Sequence, residues 1–298
     1  MLHRLPGREG CLARLPSRAC GTGRGLETPA SVAISRDGRV VAIAARNGQT
    51  IGVYRRSASG ALTAAGCFQT RATGGCREAP GLRQVSGLAF APNGRVLVAA
   101  TGAGLVSFRN GAGRLSFAQV APTRGAVALA FTPDSGYVYA VGGGGTHGWL
   151  DVVELGSNGG MNRIQCVEPG EVAPCQAATG LEQPAGVAVS PDDRYVYVAS
   201  AVSGAVATFE RTKVGAVGTP RVVKNPAFAR ATGIAASGAR VYVSAAELVT
   251  QLRAAGGTLI VERSFRPRGV SDLRAVALSP NARNLYVAGR GVAVLRVS

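Results

Sequence analysis

The chain has 298 residues, 42 of them glycine, with 46% apolar and only 5% aromatic side chains. That apolar share is enough for a sizeable core and excludes a disordered tail, and glycines without a three-residue period exclude collagen. The 33 basic residues against 16 acidic ones give a net charge of +17, which favours polyanions or an anionic surface and leaves the fold open.

In chain order, the first stretch, MLHRLPGREGCLARLPS, has no apolar core of the kind a signal peptide needs. No later run reaches the roughly 18 apolar residues of a membrane-spanning helix. Six segments then share one pattern, starting near residues 31, 86, 126, 185, 232 and 274: SVAISRDGRVVAIAA, SGLAFAPNGRVLVAA, AVALAFTPDSGYVYAV, AGVAVSPDDRYVYVAS, TGIAASGARVYVSAA and RAVALSPNARNLYVAG. Each reads as a strand of small residues, a polar turn and a second strand whose β-branched and aromatic residues alternate with period two. Asp-Gly, Asn-Gly and Pro-Asp steps supply the turn chemistry.

The turns fall near 36, 92, 133, 191, 237 and 280, a mean spacing of about 49 residues that suits a four-stranded propeller blade. Third strands follow, such as Thr50–Arg55, Leu105–Arg109 and Leu150–Leu155. Fourth strands begin near Gly60-Ala61-Leu62, Gly113-Arg114-Leu115 and Gly257-Thr258-Leu259. No amphipathic helix pattern of useful length interrupts them, which excludes Rossmann and TIM architectures. The expectation is an all-β six-bladed β-propeller, seven-bladed as the alternative, as one domain over residues 1–298. The last unit ends after its third strand, so the ring is expected to close through Met1–Arg14 adding the outer strand of the last blade, which spares both edges. Closure would gather Arg4, Arg8, Arg14 and Arg18 beside Arg263, Arg266, Arg268, Arg283 and Arg290, a candidate anion-binding seam; scattered solvated arginines are the plainer reading.

Six cysteines form three C-x8-C pairs, Cys11/Cys20, Cys67/Cys76 and Cys166/Cys175, each followed five residues after its second cysteine by Gly-Leu. Fifteen connectivities exist for six cysteines. Pairs on different blades favour bonding within each pair, stabilising by roughly 2–3 kcal/mol per ten-residue loop. Structural zinc wants closer spacing and further ligands, and the only histidines are His3 and His147. Disulfides imply an oxidising compartment, so a secreted or cell-surface protein. The missing signal peptide leaves three readings open: another export route, a start inside a longer gene, or reduced cysteines in the cytoplasm.

PAGVAVS-PDDRYVYVAS, from Pro184, resembles the YVTN-type β-propeller repeats of the bacterial lactonase-like (6-phosphogluconolactonase-like) family, over residues 10–298. The resemblance implies the fold. It leaves activity undecided, since the repeat is shared by lactonases, surface-layer proteins and other propellers, and no catalytic residue of the family matches a position here.

Lactone hydrolysis needs a group that activates water and one that stabilises an oxyanion. Asp37, Asp134, Asp192 and Asp193 read as turn-capping residues. Glu182 and Asp272 lie just before first strands and are candidates for a channel mouth, with Glu27 and Glu78 beside them. His147 sits in Gly142–Trp149, read as an irregular glycine-rich loop holding the single tryptophan. It is a candidate base, with Asp151 or Glu154 as carboxylates that folding could bring to it. G-x-S-x-G is absent, and no G-K-[ST] follows the glycines. No cofactor is expected, calcium entering only with a lactonase reading. Two functions follow: a non-catalytic extracytoplasmic binding or scaffold module for a protein or anionic glycan, or a lactonase-type hydrolase acting on a sugar lactone. A monomer is expected, and no zinc-finger, RNP or helix-turn-helix signature points to specific nucleic-acid recognition.

Overall fold

The computed structural model describes residues 11–15, 18, 20–121, 123–170, 173–279 and 281–297. They form an all-β chain whose sheets follow one another as six blades of a β-propeller. A parallel pair comes first, β1 (Leu12–Ala13) with β2 (Gly21–Thr22). The first blade holds β3 (Pro29–Ile34), β4 (Val40–Ala45), β5 (Thr50–Arg56) and β6 (Leu62–Gln69), with β7 (Arg77–Glu78) parallel to the end of β6. The second holds β8 (Gly87–Phe90), β9 (Val96–Thr101), β10 (Gly104–Gly111) and β11 (Arg114–Val120). The third holds β12 (Ala126–Phe131), β13 (Tyr137–Gly144), β14 (His147–Leu155), β15 (Met161–Glu168) and the short parallel β16 (Gln176–Ala177).

The fourth comprises β17 (Pro184–Val189), β18 (Tyr195–Ser200), β19 (Ala205–Glu210) and β20 (Arg221–Lys224), and the fifth β21 (Ala231–Ser237), β22 (Arg240–Ala245), β23 (Leu248–Ala255) and β24 (Thr258–Phe265). The sixth has three strands among the described residues, β25 (Ala275–Leu278), β26 (Asn284–Gly289) and β27 (Gly291–Arg296). Residues 1–10, most of the expected closing strand, lie outside the described residues. By register, Leu12–Ala13 matches Phe68–Gln69 and Val167–Glu168, the ends of two outer strands, since all three pairs directly follow the first cysteine of a pair.

The chain divides into two compact units, residues 1–129 with 155–162, and residues 130–154 with 163–298. In the first, Phe68, Leu82, Leu97, Val106, Phe108 and Leu115 make one cluster, with the Phe68 and Phe108 rings 4.7 Å apart. In the second, Tyr195, Tyr197, Val206, Phe228, Ile234 and Leu252 do the same. Second strands are the most buried: every residue of β9 and β18 is inside, each large one contributing about 1.5–3 kcal/mol. First strands, built of Ala, Gly and Val, are more open; Val32 and Ile34 on β3 are 60% and 55% exposed.

All three cysteine pairs bond within themselves, Cys11–Cys20, Cys67–Cys76 and Cys166–Cys175, with Cα–Cα distances of 4.7–4.9 Å. Each bridge stands just before the parallel strand pairs β1–β2, β6–β7 and β15–β16.

Turns between first and second strands repeat one polar motif. The Ser35 hydroxyl donates to Asp37, whose carboxylate accepts from the Arg39 amide, while the Val40 amide donates back to Ser35. Thr132/Asp134, Ser190/Asp192 and Ser279/Asn281 repeat the arrangement. These donors hold Asp37 and Asp134 below the usual carboxylate value, the side-chain hydroxyl first and a backbone amide second.

Asp193 holds the motif's left-handed position, φ 60°, as Gly38, Ser135 and Ala282 do in the other turns. Its carboxylate accepts from Arg211, whose Nε donates to the Tyr139 hydroxyl at 2.9 Å while that hydroxyl donates to Gly215 O at 2.6 Å. Burial pushes Tyr139 up to about 12 and raises Asp193, Arg211 opposing. Gly215 is required here: its φ is +81°, and a Cβ would stand 2.3 Å from the Tyr137 ring.

Candidate functional site

The sheets of the second unit have two ends. One carries the turns just described; the other is a rim where hairpins joining second to third strands meet the segments leading into first strands. Backbone bonds stitch it together. The amides of Val202 and Ser203 donate to Glu182 O, that of Ala201 to Gln183 O, that of Arg230 to Ala201 O, and that of Arg290 to Ser271 O. The lead-in residues Gln183, Arg230 and Asp272 all sit at left-handed φ, 54°, 62° and 52°, as Thr28 and Gln84 do in the first unit, so this conformation, costly for non-glycine residues, belongs to the repeat.

The expected irregular loop at Gly142–Trp149 is instead a regular hairpin. Gly142 pairs with Trp149, Gly143 with Gly148 and Gly144 with His147, leaving only Gly145-Thr146 as the turn. Glycine repeats here disguised a strand; Gly143, at φ +108°, would place a Cβ 2.1 Å from His147 O. His147 is exposed at the tip. Asp151 lies four residues along the strand, about 13 Å away at 3.3 Å per residue, and is fully buried with Arg163 at 3.8 Å. Glu154 is further still and on the other face. Neither orients the imidazole. The hairpin nonetheless brings His147 to the Glu182 segment, because Gly148 packs so closely on it that a Cβ would fall 1.6 Å from Leu181 O.

Glu182 is half-buried, and its Oε2 is shielded from solvent with no hydrogen-bond donor. Ser203, whose amide bonds to Glu182 O, has a hydroxyl in the same condition, as does the fully buried Ser200 at the base of that hairpin. Buried polar atoms are nearly always paired, so three orphaned oxygens around one lead-in segment mark a place with unspent bonding capacity. Asp272 is otherwise occupied: its carboxylate takes Arg274 at 2.6 Å and Arg290 at 3.8 Å, and its amide donates to Glu247 Oε1 at 3.1 Å. Ser203 and Ser200 carry no sequence signal beyond a serine in a hairpin. The unpaired state of their oxygens emerges only once the chain is folded.

Of the seam arginines, Arg4 and Arg8 lie outside the described residues. Arg14 pairs with Glu27 at 3.1 Å. Arg263 donates to Gln251 Oε1 at 3.0 and 3.2 Å and lies over the Phe265 ring, and Arg266 and Arg268 are exposed. Among the described residues no group of three or more His, Cys, Asp or Glu side chains is placed to hold a metal ion.

The model of the family described as "Lactonase, 7-bladed beta-propeller" matches residues 17–247, and the chain belongs to that family, with six blades among its described residues where the description has seven. Among solved structures, a putative 6-phosphogluconolactonase from Bacteroides uniformis is similar at 19% identity and TM-score 0.70, covering 95% of this chain and 83% of that one. A periplasmic gluconolactonase from Pseudomonas aeruginosa is similar at 19% and 0.69, covering 91% and 81%. The hydrazine synthase of Kuenenia stuttgartiensis, at 14% and 0.68, covers 91% and 84%. At these identities the likeness concerns fold. A search of curated proteins finds no match.

Proposed function

We propose that the protein is a lactonase-type hydrolase that opens a sugar lactone at the rim of the second unit, with Glu182 as general base. The observation that carries this is the Glu182 Oε2, shielded and without a donor, on a residue whose carbonyl accepts the amide of Ser203, itself a residue with an unpaired hydroxyl. Membership of the lactonase family supplies the reaction class.

In the proposed reaction Glu182 takes a proton from water as the water oxygen bonds to the lactone carbonyl carbon. The ring C–O bond then breaks, and the leaving alkoxide takes the proton back from Glu182, giving the open hydroxy acid. Ser203 donates to the substrate, and Arg230, exposed on the neighbouring lead-in segment with its amide bonded to Ala201 O of the Ser203 hairpin, offsets charge on the carbonyl oxygen. A positioned base of this kind contributes about 10²–10⁴-fold. Three disulfides support an extracytoplasmic setting, where bonds of this kind persist.

The test is proton release from a panel of sugar and aliphatic lactones by the disulfide-intact protein. Saturable turnover that falls at least 100-fold in Glu182→Gln, with unchanged thermal unfolding, is the expected result. No turnover above background by a folded protein overturns the hydrolase and returns the rim to a binding role.

A further inference from the structure

Among the described residues of the first unit, one blade junction carries a glutamine clamp and the junction before it lacks one. Gln119 donates from Nε2 to Met161 O and accepts the Met161 amide on Oε1, both at 2.9 Å. In the second unit Gln165 makes the same two bonds to Val217, at 2.9 and 2.8 Å. Met161, Val217 and Leu115 are equivalent residues, each two positions after a left-handed glycine, Gly159, Gly215 and Gly113. The residue that should clamp Leu115 is Gly66, which directly precedes Cys67 as Gln165 precedes Cys166. Ala65 before it is the extra residue of a β-bulge, as Ala118 is before Gln119. Gly66 has no side chain, and a Cβ there would meet nothing within 4 Å.

A cavity of about 320 Å³ opens at this place, and three guanidinium side chains, Arg55, Arg77 and Arg114, line it together with Ala65 and Leu115. Among the described residues no carboxylate pairs with any of the three. Arg77 lies over the Phe68 ring at 4.3 Å, and its proton affinity is lowered, first by partial burial and then by the charge of Arg114. Three like charges around one concavity repel one another, and an anion seated among them removes that repulsion. Arginine forks match tetrahedral oxyanions in geometry as well as charge.

We infer that the Gly66 cavity is a binding site for a phosphate group, free or as a monoester, held by Arg55, Arg77 and Arg114. It is independent of the lactonase reading. The missing glutamine leaves the room, and the three unpaired arginines supply the charge.

Calorimetric titration of the full disulfide-intact chain at constant ionic strength tests it, with inorganic phosphate and glucose 1-phosphate as probes. Saturable one-site binding is expected, weakened at least tenfold by Arg77→Ala or Arg114→Ala and abolished by Arg114→Glu. These substitutions are at exposed side chains, and unchanged near-ultraviolet circular dichroism checks the fold. Tighter binding of glucose 1-phosphate identifies an ester as the ligand, and equal binding identifies the free anion. Absence of saturable binding overturns the site. So does an equal weakening by Arg268→Ala, which would show only general attraction to a protein of charge +17.

Discussion

The two ends of the second unit's sheets use the same kinds of residue to opposite effect. At the turn end, Ser190, Asp192 and the amides of Arg194 and Tyr195 satisfy one another, and the motif recurs along the chain because each blade needs the same reversal. At the rim, Glu182, Ser200 and Ser203 keep oxygens without partners, whereas left-handed backbone is common to both ends, at Asp193 in the turn and at Gln183 in the lead-in. Repetition spends most polar groups of the turn end on folding, with Asp193 Oδ1 the exception there; at the rim it leaves three oxygens around one segment. Sites where local consistency breaks are where function is expected.

The largest way to break this contrast is Gly148→Ala. A methyl group 1.6 Å from Leu181 O and 2.6 Å from Pro184 Cδ must push the His147 hairpin off the Glu182 segment. A loss of about 3 kcal/mol or more follows from overpacking against backbone, read by chemical denaturation. A loss below about 1 kcal/mol would show that the rim yields easily and holds no fixed geometry.

Alkali gives the next largest effect and acts through the core. Burial pushes Tyr139 and Tyr197 up to about 12, whereas an unfolded tyrosine ionises near 10. The folded state therefore keeps its phenolic protons while the unfolded state sheds them. The stabilisation is complete below about pH 10 and is lost as pH rises toward 12, by about 2 kcal/mol per tyrosine. Tyr197→Phe should flatten this loss in a pH series of unfolding midpoints; an unchanged slope would place the alkaline sensitivity elsewhere.

Ser190→Ala is the matched probe of the turn end. It removes the acceptor of the Tyr195 amide at 2.9 Å and the donor to Asp192, costing about 1–2 kcal/mol, with lactone turnover unchanged. Lost turnover would tie the turns to the chemistry and dissolve the contrast between the two ends.

What could be read before folding follows the same division. Blade count, turns and cysteine pairing are legible because they repeat: PDDRYVYV and C-x8-C state their register several times over. The Gly142–Trp149 hairpin was not, since four glycines mask the period of a strand whose tight pairing, at Gly143 and Gly148, requires them. Glu182 and Asp272 looked alike as acids before first strands. Only the fold gives Asp272 two arginines and leaves Glu182 an oxygen with none. Ser203 and Gly66 were invisible because each matters through what is absent around it.

The smallest effect on stability belongs to Glu182→Gln, and it carries the most information. The amide has nearly the shape of the carboxylate and removes a charge whose Oε2 has no donor in the fold, so unfolding should move by no more than about 0.5 kcal/mol. Its effect on kcat/KM should instead reach at least 100-fold, because the amide cannot accept the water proton. Ser203→Ala should lower kcat/KM less and through KM, since a hydroxyl that only donates to bound substrate contributes to binding. Set beside Ser190→Ala, stable but inactive at the rim and active but weakened at the turns is the crossed result that the two ends of the sheet require. Equal activity loss in both variants would mean that turnover follows stability, and Glu182 would then hold no proton in the reaction.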